Sequence, residues 1–141
     1  MYKGVREFTT SVAPRVLLDV VWEVAAYPEF VKGIKRVALL DQAEGRARAR
    51  FTAGLAGMDF EYVLKVEREP SEVRWQRESG AFNDTGGRIT HLGGERFRYE
   101  AWLDPGFHVP ELAVRFVLER SLPRLIKDFI TRAEARALGR V

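Results

Sequence analysis

Arg77 is the side chain with the most chemistry to account for. Around it Val73, Trp75, Arg77 and Ser79 alternate with Glu72, Arg74, Gln76 and Glu78, the two-residue period of a half-buried strand. Parity with Val73 and Trp75 points Arg77 toward the interior. An unpaired buried guanidinium is costly, so it needs a carboxylate, a set of carbonyls, water or a ligand oxygen. The alternative is a strand that frays or bulges by Glu78 and leaves Arg77 at the rim. Tyr62 and Tyr99 bring hydroxyls to the same face, and His91 shares the parity of Ile89. A few polar groups on an otherwise apolar surface orient a ligand or stabilise charge that develops during a reaction. His91, alone on a strand, reads first as a structural residue.

Other chemistries are not supported. His91 and His108 are the two histidines, there is no cysteine, and no histidine pair sits at helical spacing, so no zinc site is expected. There is no Gly-x-Ser-x-Gly elbow and no Walker-type Gly-Lys-Ser/Thr. Gly86-Gly87 and Gly93-Gly94 read as turn and strand glycines rather than a phosphate cradle. Glu61, Glu67 and Glu78 alternate outward, which leaves no inward carboxylate pair for glycosidase chemistry. Arg46, Arg48 and Arg50 form an outward row that reads as a solvated face or a contact for an anionic partner. No cofactor is implied.

The elements that must position these residues follow from periodicity. Leu122, Leu125, Ile126, Phe129, Ile130, Ala133 and Ala137 recur three and four apart, one apolar stripe of an amphipathic helix over Leu122–Leu138. Leu112, Ala113, Phe116 and Val117 make a shorter stripe upstream. Pro123, with Ser121 as N-cap, predicts a break between the two. At the other end, Val5–Val12 reads as a strand. Pro14 then opens a helix with Val16, Leu17, Val20, Val21 and Val24 buried. That helix stops by Tyr27, ahead of Pro28, and a second short helix runs to Gly33. Between Ile34 and Leu103 the period is two, broken by turn signals at Glu44-Gly45, Gly54–Gly57, Pro70-Ser71, Gly80–Gly87 and Gly93-Gly94. Ala47, Ala49 and Phe51 face inward from one strand, and Phe60, Tyr62, Leu64 and Val66 from the next. Strand runs joined by short turns, with helices at both ends, predict an α+β fold with an antiparallel sheet.

At 141 residues the chain is expected to form a single domain, 1-141, large enough for a real core. No run reaches the roughly 18–20 apolar residues of a membrane span. The start, MYKGVREFTT, lacks the apolar centre of a signal peptide. With no cysteine, the expected location is cytoplasmic. The net charge of +3 and pI near 9.4 come from arginines interleaved with acids, so no nucleic-acid partner is expected.

The segment Val12-Ala13-Pro14 followed by Glu23-Val24-Ala25-Ala26-Tyr27-Pro28-Glu29-Phe30 resembles the start of the polyketide cyclase/dehydrase and coenzyme Q-binding protein families of the START-like, helix-grip superfamily. In these, a proline-opened helix leads into an acid-x-x-x-Tyr-Pro-x-Phe segment and a strand. Leu55-Ala56-Gly57-Met58 is similar to the family's Gly-apolar turn, Leu92–Glu100 to its penultimate hairpin, and Leu122-Pro123 to the start of its last helix. The resemblance spans nearly the whole chain. It implies a curved antiparallel sheet of six to seven strands around a long C-terminal α-helix, with an apolar cavity between them. Gly87 departs from the pattern, because relatives often carry tryptophan there. Glycine would widen the cavity locally or accommodate a bulge.

With that geometry, alternation nominates Phe51, Phe60, Tyr62, Trp75, Arg77, Gly87, Ile89, Tyr99 and Phe129 as cavity residues. The first functional expectation is binding or transport of a hydrophobic small molecule such as a lipid, isoprenoid quinone or polyketide-like compound. A second is a polyketide aromatase/cyclase, with Arg77 or a tyrosine stabilising an enolate or assisting dehydration. A third, implied by relatives, is a protein-interaction module acting on a ribosome or respiratory complex. The shortage of inward acids and bases favours the binder. Transient membrane contact is compatible with it, and catalytic residues are left unassigned.

Overall fold

A computed structural model describes residues 1–55, 57–106 and 110–141. Its elements are β1 (Tyr2–Thr9), α1 (Pro14–Trp22), a 3-10 turn (Val24–Glu29), β2 (Ile34–Ala43), β3 (Arg46–Leu55), β4 (Met58–Glu69), β5 (Glu72–Gly80), β6 (Asp84–Gly93), β7 (Arg96–Asp104) and α2 (Glu111–Ala137). The seven strands form one antiparallel sheet in the order β1-β7-β6-β5-β4-β3-β2. β1 and β2 are therefore the edges, and the sheet curves around α2 as the helix-grip resemblance implies. Ala56, between β3 and β4 in the chain, and His108 lie outside the described residues.

Strand alternation sorts the side chains as the sequence predicts. Along β3, Ala47, Ala49 and Phe51 are buried. Arg48 lies outward, where its guanidinium bridges Asp41 and Glu78. Val66, Val73, Ile89, Phe97 and Tyr99 fill the inner face against Leu17, Leu18, Val20 and Val21 of α1 and Leu122, Phe129 and Ala133 of α2. At roughly 25 cal/mol per Å² of apolar surface removed from water, this shared core is the main attraction holding sheet and helices together.

Three expectations need correction. The first strand runs Tyr2–Thr9 rather than Val5–Val12. Its inward positions are Gly4 and Phe8, while Val5 is 54% exposed. A Cβ on Gly4 would lie 2.6 Å from Leu122 Cδ1, so glycine here lets α2 approach the edge strand. Second, α1 ends at Trp22, earlier than Pro28 requires. The Tyr-Pro segment that follows is a 3-10 turn containing Pro28, not a separate helix to Gly33. Third, α2 does not break at Ser121–Pro123. It is one helix of 27 residues with Pro123 inside it. Proline removes the N–H that would reach the Glu119 carbonyl and costs about 3 kcal/mol in a helix interior. Burial of Val114 and Leu122 before the proline and of Ile126, Phe129 and Ala133 after it outweighs that cost. Ser121 is no N-cap; its hydroxyl donates to the Val117 carbonyl one turn back, at 2.8 Å.

Candidate functional site: an apolar cavity under the last helix

Between sheet and α2 lies a cavity with two adjoining compartments. The inner chamber, about 120 Å³, is walled by Val24, Tyr27, Val31, Ile34, Phe51, Tyr62, Leu64, Val66, Trp75, Tyr99, Leu125 and Phe129. The outer compartment, about 290 Å³, shares Val31, Ile34, Tyr62, Trp75, Tyr99 and Leu125 with it and extends past Phe60, Phe82, Leu103, Val117 and Leu118. Lys32, Arg124 and Asp128 are the charged residues of this mouth. None borders the chamber.

Local structure explains the wall. Phe51 and Tyr62 are directly opposed on β3 and β4, and their rings stack at 5.6 Å with 2° between planes. Tyr99 reaches Trp75 at 5.8 Å across the sheet. From the helix side Phe129 meets Tyr27 at 5.5 Å and Phe30 at 6.2 Å. The Tyr27 hydroxyl donates to the Val21 carbonyl, which fixes that ring to the end of α1. Arg132 stacks over Phe30 and bonds Glu29, while Arg136 holds Glu23 with two hydrogen bonds. These contacts clasp the inner end of the cavity.

Tyr62 and Tyr99 differ from Tyr27. Neither hydroxyl has a hydrogen-bond partner among the described residues, and neither is sealed from accessible space. Burial pushes the Tyr62 phenol up to about 12. Burial, and secondarily the neighbouring Tyr62, push Tyr99 up as well. Both phenols are therefore neutral at physiological pH. They can donate to an oxygen in the cavity but cannot serve there as bases.

The nominated residues do not share one role. Phe51, Tyr62, Trp75, Tyr99 and Phe129 stand on the chamber wall, and Phe60 stands at the mouth. Ile89 is fully buried and borders neither compartment. Arg77 is corrected. Opposite β4, Val63 pairs with Ser79 and Leu64 with Arg77, so Glu78 is an extra, bulged residue. The Arg77 guanidinium turns along its own strand to the carbonyls of Gly80, at 2.7 Å, and Ala81, at 3.3 Å. Arg77 borders neither compartment. Its partners are the carbonyls of the β5–β6 turn, so its charge is satisfied without a ligand.

Gly87 is corrected too. It pairs with Trp75, and a Cβ added there would lie 2.7 Å from Trp75 Cζ2 and 2.7 Å from the Glu100 carbonyl. The indole of Trp75 occupies the space that glycine leaves. Gly87 thus seats a cavity-wall tryptophan supplied by the neighbouring strand and opens no extra room. His91 Nε2 donates to the Gly94 carbonyl and its ring lies against Phe97, a structural position.

Tyr27 and Phe82 are among the wall residues that the sequence reading does not nominate. Tyr27 was legible only as part of the Tyr-Pro-x-Phe segment. Phe82 holds a left-handed φ of 74° in the β5–β6 turn, where a non-glycine residue is uncommon. Its ring covers Phe60 at 5.2 Å and Tyr62 at 5.5 Å. The Gly/Asn/Asp-rich composition marks the turn but gives no signal for that ring. Among the described residues no group of acids and histidines could hold a metal, and no helix is long and apolar enough to cross a membrane.

The family model for polyketide cyclase/dehydrase and lipid transport matches residues 10–130. No curated protein sequence matches significantly. Among solved structures, a START superfamily protein from Mycobacterium smegmatis superposes with a TM-score of 0.81 at 18% identity, covering 94% of this chain and 97% of that one. The Zhui aromatase/cyclase from Streptomyces sp. R1128 gives 0.78 at 16% identity, covering 96% and 95%. A major latex-like protein from Panax ginseng gives 0.67 at 11% identity, covering 94% and 97%. At these identities the structural matches speak to fold alone. Family model and fold agree: the chain belongs to the polyketide cyclase/dehydrase and lipid transport family and has the START-like, helix-grip fold.

Proposed function

We propose that this chain, acting as a single unit over 1-141, binds and carries a hydrophobic small molecule in the cavity between sheet and α2. The observation behind this reading is a pair of adjoining, largely apolar spaces, the inner chamber and the mouth, whose charged lining residues among those described stand only at the mouth. Such a space suits a ligand whose apolar surface leaves water on binding. A lipid, an isoprenoid quinone and a polyketide-like compound all fit that description. The working location is the cytoplasm, with no nucleic-acid partner and at most transient contact with a membrane.

The second reading, an aromatase/cyclase, draws support from the Zhui aromatase/cyclase among the fold neighbours and from the two free phenols. Against it stands the chamber itself, which among the described residues no aspartate, glutamate, histidine or lysine borders. General acid–base catalysis needs a group that titrates near the working pH, and phenols pushed upward by burial do not. Nothing in the fold favours the interaction-module reading over either.

Native mass spectrometry of freshly purified protein tests the carrier reading. A retained apolar molecule is expected, and Leu125→Phe, which fills both compartments from the helix side, should lose it while keeping the thermal transition. A protein that retains nothing and takes up no added isoprenoid quinone or phospholipid would overturn the proposal.

A further inference from the structure

Resting on the carrier reading, we propose that the chamber selects a neutral ligand ring bearing a carbonyl or similar acceptor oxygen, bound oxygen-first against Tyr62 and Tyr99, and excludes carboxylates from that position. The chamber volume of about 120 Å³ sets the width. An apolar cavity of about 150 Å³ holds a benzene-sized molecule, so this space admits one ring and directs the remainder toward the mouth. Its walls suit a flat group. The parallel Phe51–Tyr62 stack forms one side and the Trp75–Tyr99 pair another, and aromatic faces pack planar partners in offset or edge-on geometry.

Three tyrosines belong to the chamber wall. Tyr27 gives its proton to Val21, which leaves Tyr62 and Tyr99 unpaired and in contact with accessible space. The indole N–H of Trp75 also makes no hydrogen bond among the described residues. An apolar site with unpaired donors prefers a ligand that satisfies them, since a hydrocarbon would bury them without partners. Charge decides the rest. Among the described residues no cationic side chain borders the chamber, and Arg77, which shares the strand parity of Trp75, is held by the Gly80 and Ala81 carbonyls. A carboxylate placed there would shed its water without a counter-ion. The cations Lys32 and Arg124 stand at the mouth, so an acid can bind only with its apolar end inward.

Three probes of one size separate these effects: menadione, methylnaphthalene and naphthoate. The chain has no cysteine for the quinone to alkylate. Affinities are read by quenching of tryptophan emission and checked by calorimetry. Menadione should bind at least about tenfold more tightly than methylnaphthalene, the equivalent of one well-placed hydrogen bond, and naphthoate should bind most weakly. Tyr62→Phe and Tyr99→Phe should each narrow the menadione preference, by weakening menadione binding and by strengthening that of methylnaphthalene, which no longer buries an unpaired hydroxyl. Equal affinity of the wild-type protein for menadione and methylnaphthalene, or tighter binding of naphthoate than of either, would overturn this inference and leave the carrier reading standing. Failure of all three probes to bind would overturn both.

Discussion

The two halves of α2 are one continuous helix, yet they belong to different environments. From Leu122 onward the helix buries Leu122, Ile126, Phe129 and Ala133, and Arg132 and Arg136 fasten it to the turn after α1. Before Ser121, Val114 is buried while Leu112 and Phe116 are 76% and 58% exposed. The upstream half touches the sheet mainly at its β1 edge, where Tyr2 bonds Glu119. It also lends Val117 and Leu118 to the mouth, whereas the downstream half lends Leu125 and Phe129 to the chamber. The inner end of the cavity is thus built from the part of the helix that holds the fold together. The open end is built from the part whose burial is slight. Local stability follows burial, so the mouth is where structure can yield to a ligand at low cost.

Removing a side chain from the well-packed half should have the largest effect. Phe129 is 2% exposed and touches the rings of Tyr27 and Phe30. Phe129→Ala is expected to cost about 3–5 kcal/mol of unfolding free energy in urea titrations. A loss below about 1 kcal/mol would mean that the chamber wall is not part of the structural core.

Alkaline pH should attack the same end. The folded-state Tyr62 phenol is raised to about 12, from an ordinary value of 10.0. Between those pH values the unfolded chain ionises this phenol while the native chain keeps it protonated. The native state then holds more protons, so stability falls as pH rises. The contribution is intact below pH 10 and is lost through the window up to about 12. Each such phenol adds a slope of up to about 1.4 kcal/mol per pH unit. Tyr99 and Tyr27, raised by their own burial, act in the same direction. The near-ultraviolet absorbance of tyrosinate should appear together with unfolding, and Tyr62→Phe should flatten the decline. Ionisation well before unfolding would show these phenols to be open to bulk water.

How much of this contrast was legible beforehand depends on what periodicity can carry. The stripe from Leu122 to Ala137 and the alternation through Ala47, Ala49 and Phe51 are averages over many residues, and single irregularities do not erase them. Such patterns put Tyr62, Trp75 and Tyr99 on the face that the structure turns toward the cavity. For Arg77 alternation leaves two placements open, and the structure takes the bulged one: Glu78 is the extra residue, and the guanidinium turns to the Gly80 and Ala81 carbonyls, a choice that alternation cannot make. Gly87 was misread because its meaning lies in its cross-strand partner, Trp75, which register alone identifies. Pro123 is a conflict between local preference and packing, and the sequence displays only the first of these.

Pro123 stands at the boundary of the two halves. Pro123→Ala restores an N–H to the Glu119 carbonyl and relieves ring crowding in the preceding turn. The variant also regains freedom in the unfolded chain, which offsets part of the gain by roughly 0.4–1 kcal/mol. A net stabilisation of roughly 2 kcal/mol is expected. Amide exchange should slow most in Val117–Ser121, whose hydrogen bonds lie next to the gap. Uniform slowing along α2 would instead mean that the halves open as one unit.

The smallest effect is expected at Phe116, the upstream counterpart of Phe129. Its ring is 58% exposed, so truncation uncovers little that was dry. What it loses is the guanidinium of Arg120, which sits 4.8 Å from the ring centroid. Such contacts at exposed sites are worth about 0.5–1 kcal/mol, and Phe116→Ala should cost no more than that. Two phenylalanines of one helix, thirteen positions apart, would then differ several-fold in their contribution to stability. If Phe116→Ala cost as much as Phe129→Ala, the upstream face would have to be covered in solution, for instance by a second copy of the chain. Sedimentation at several protein concentrations would detect that copy, and the contrast between the halves would then describe the isolated chain alone.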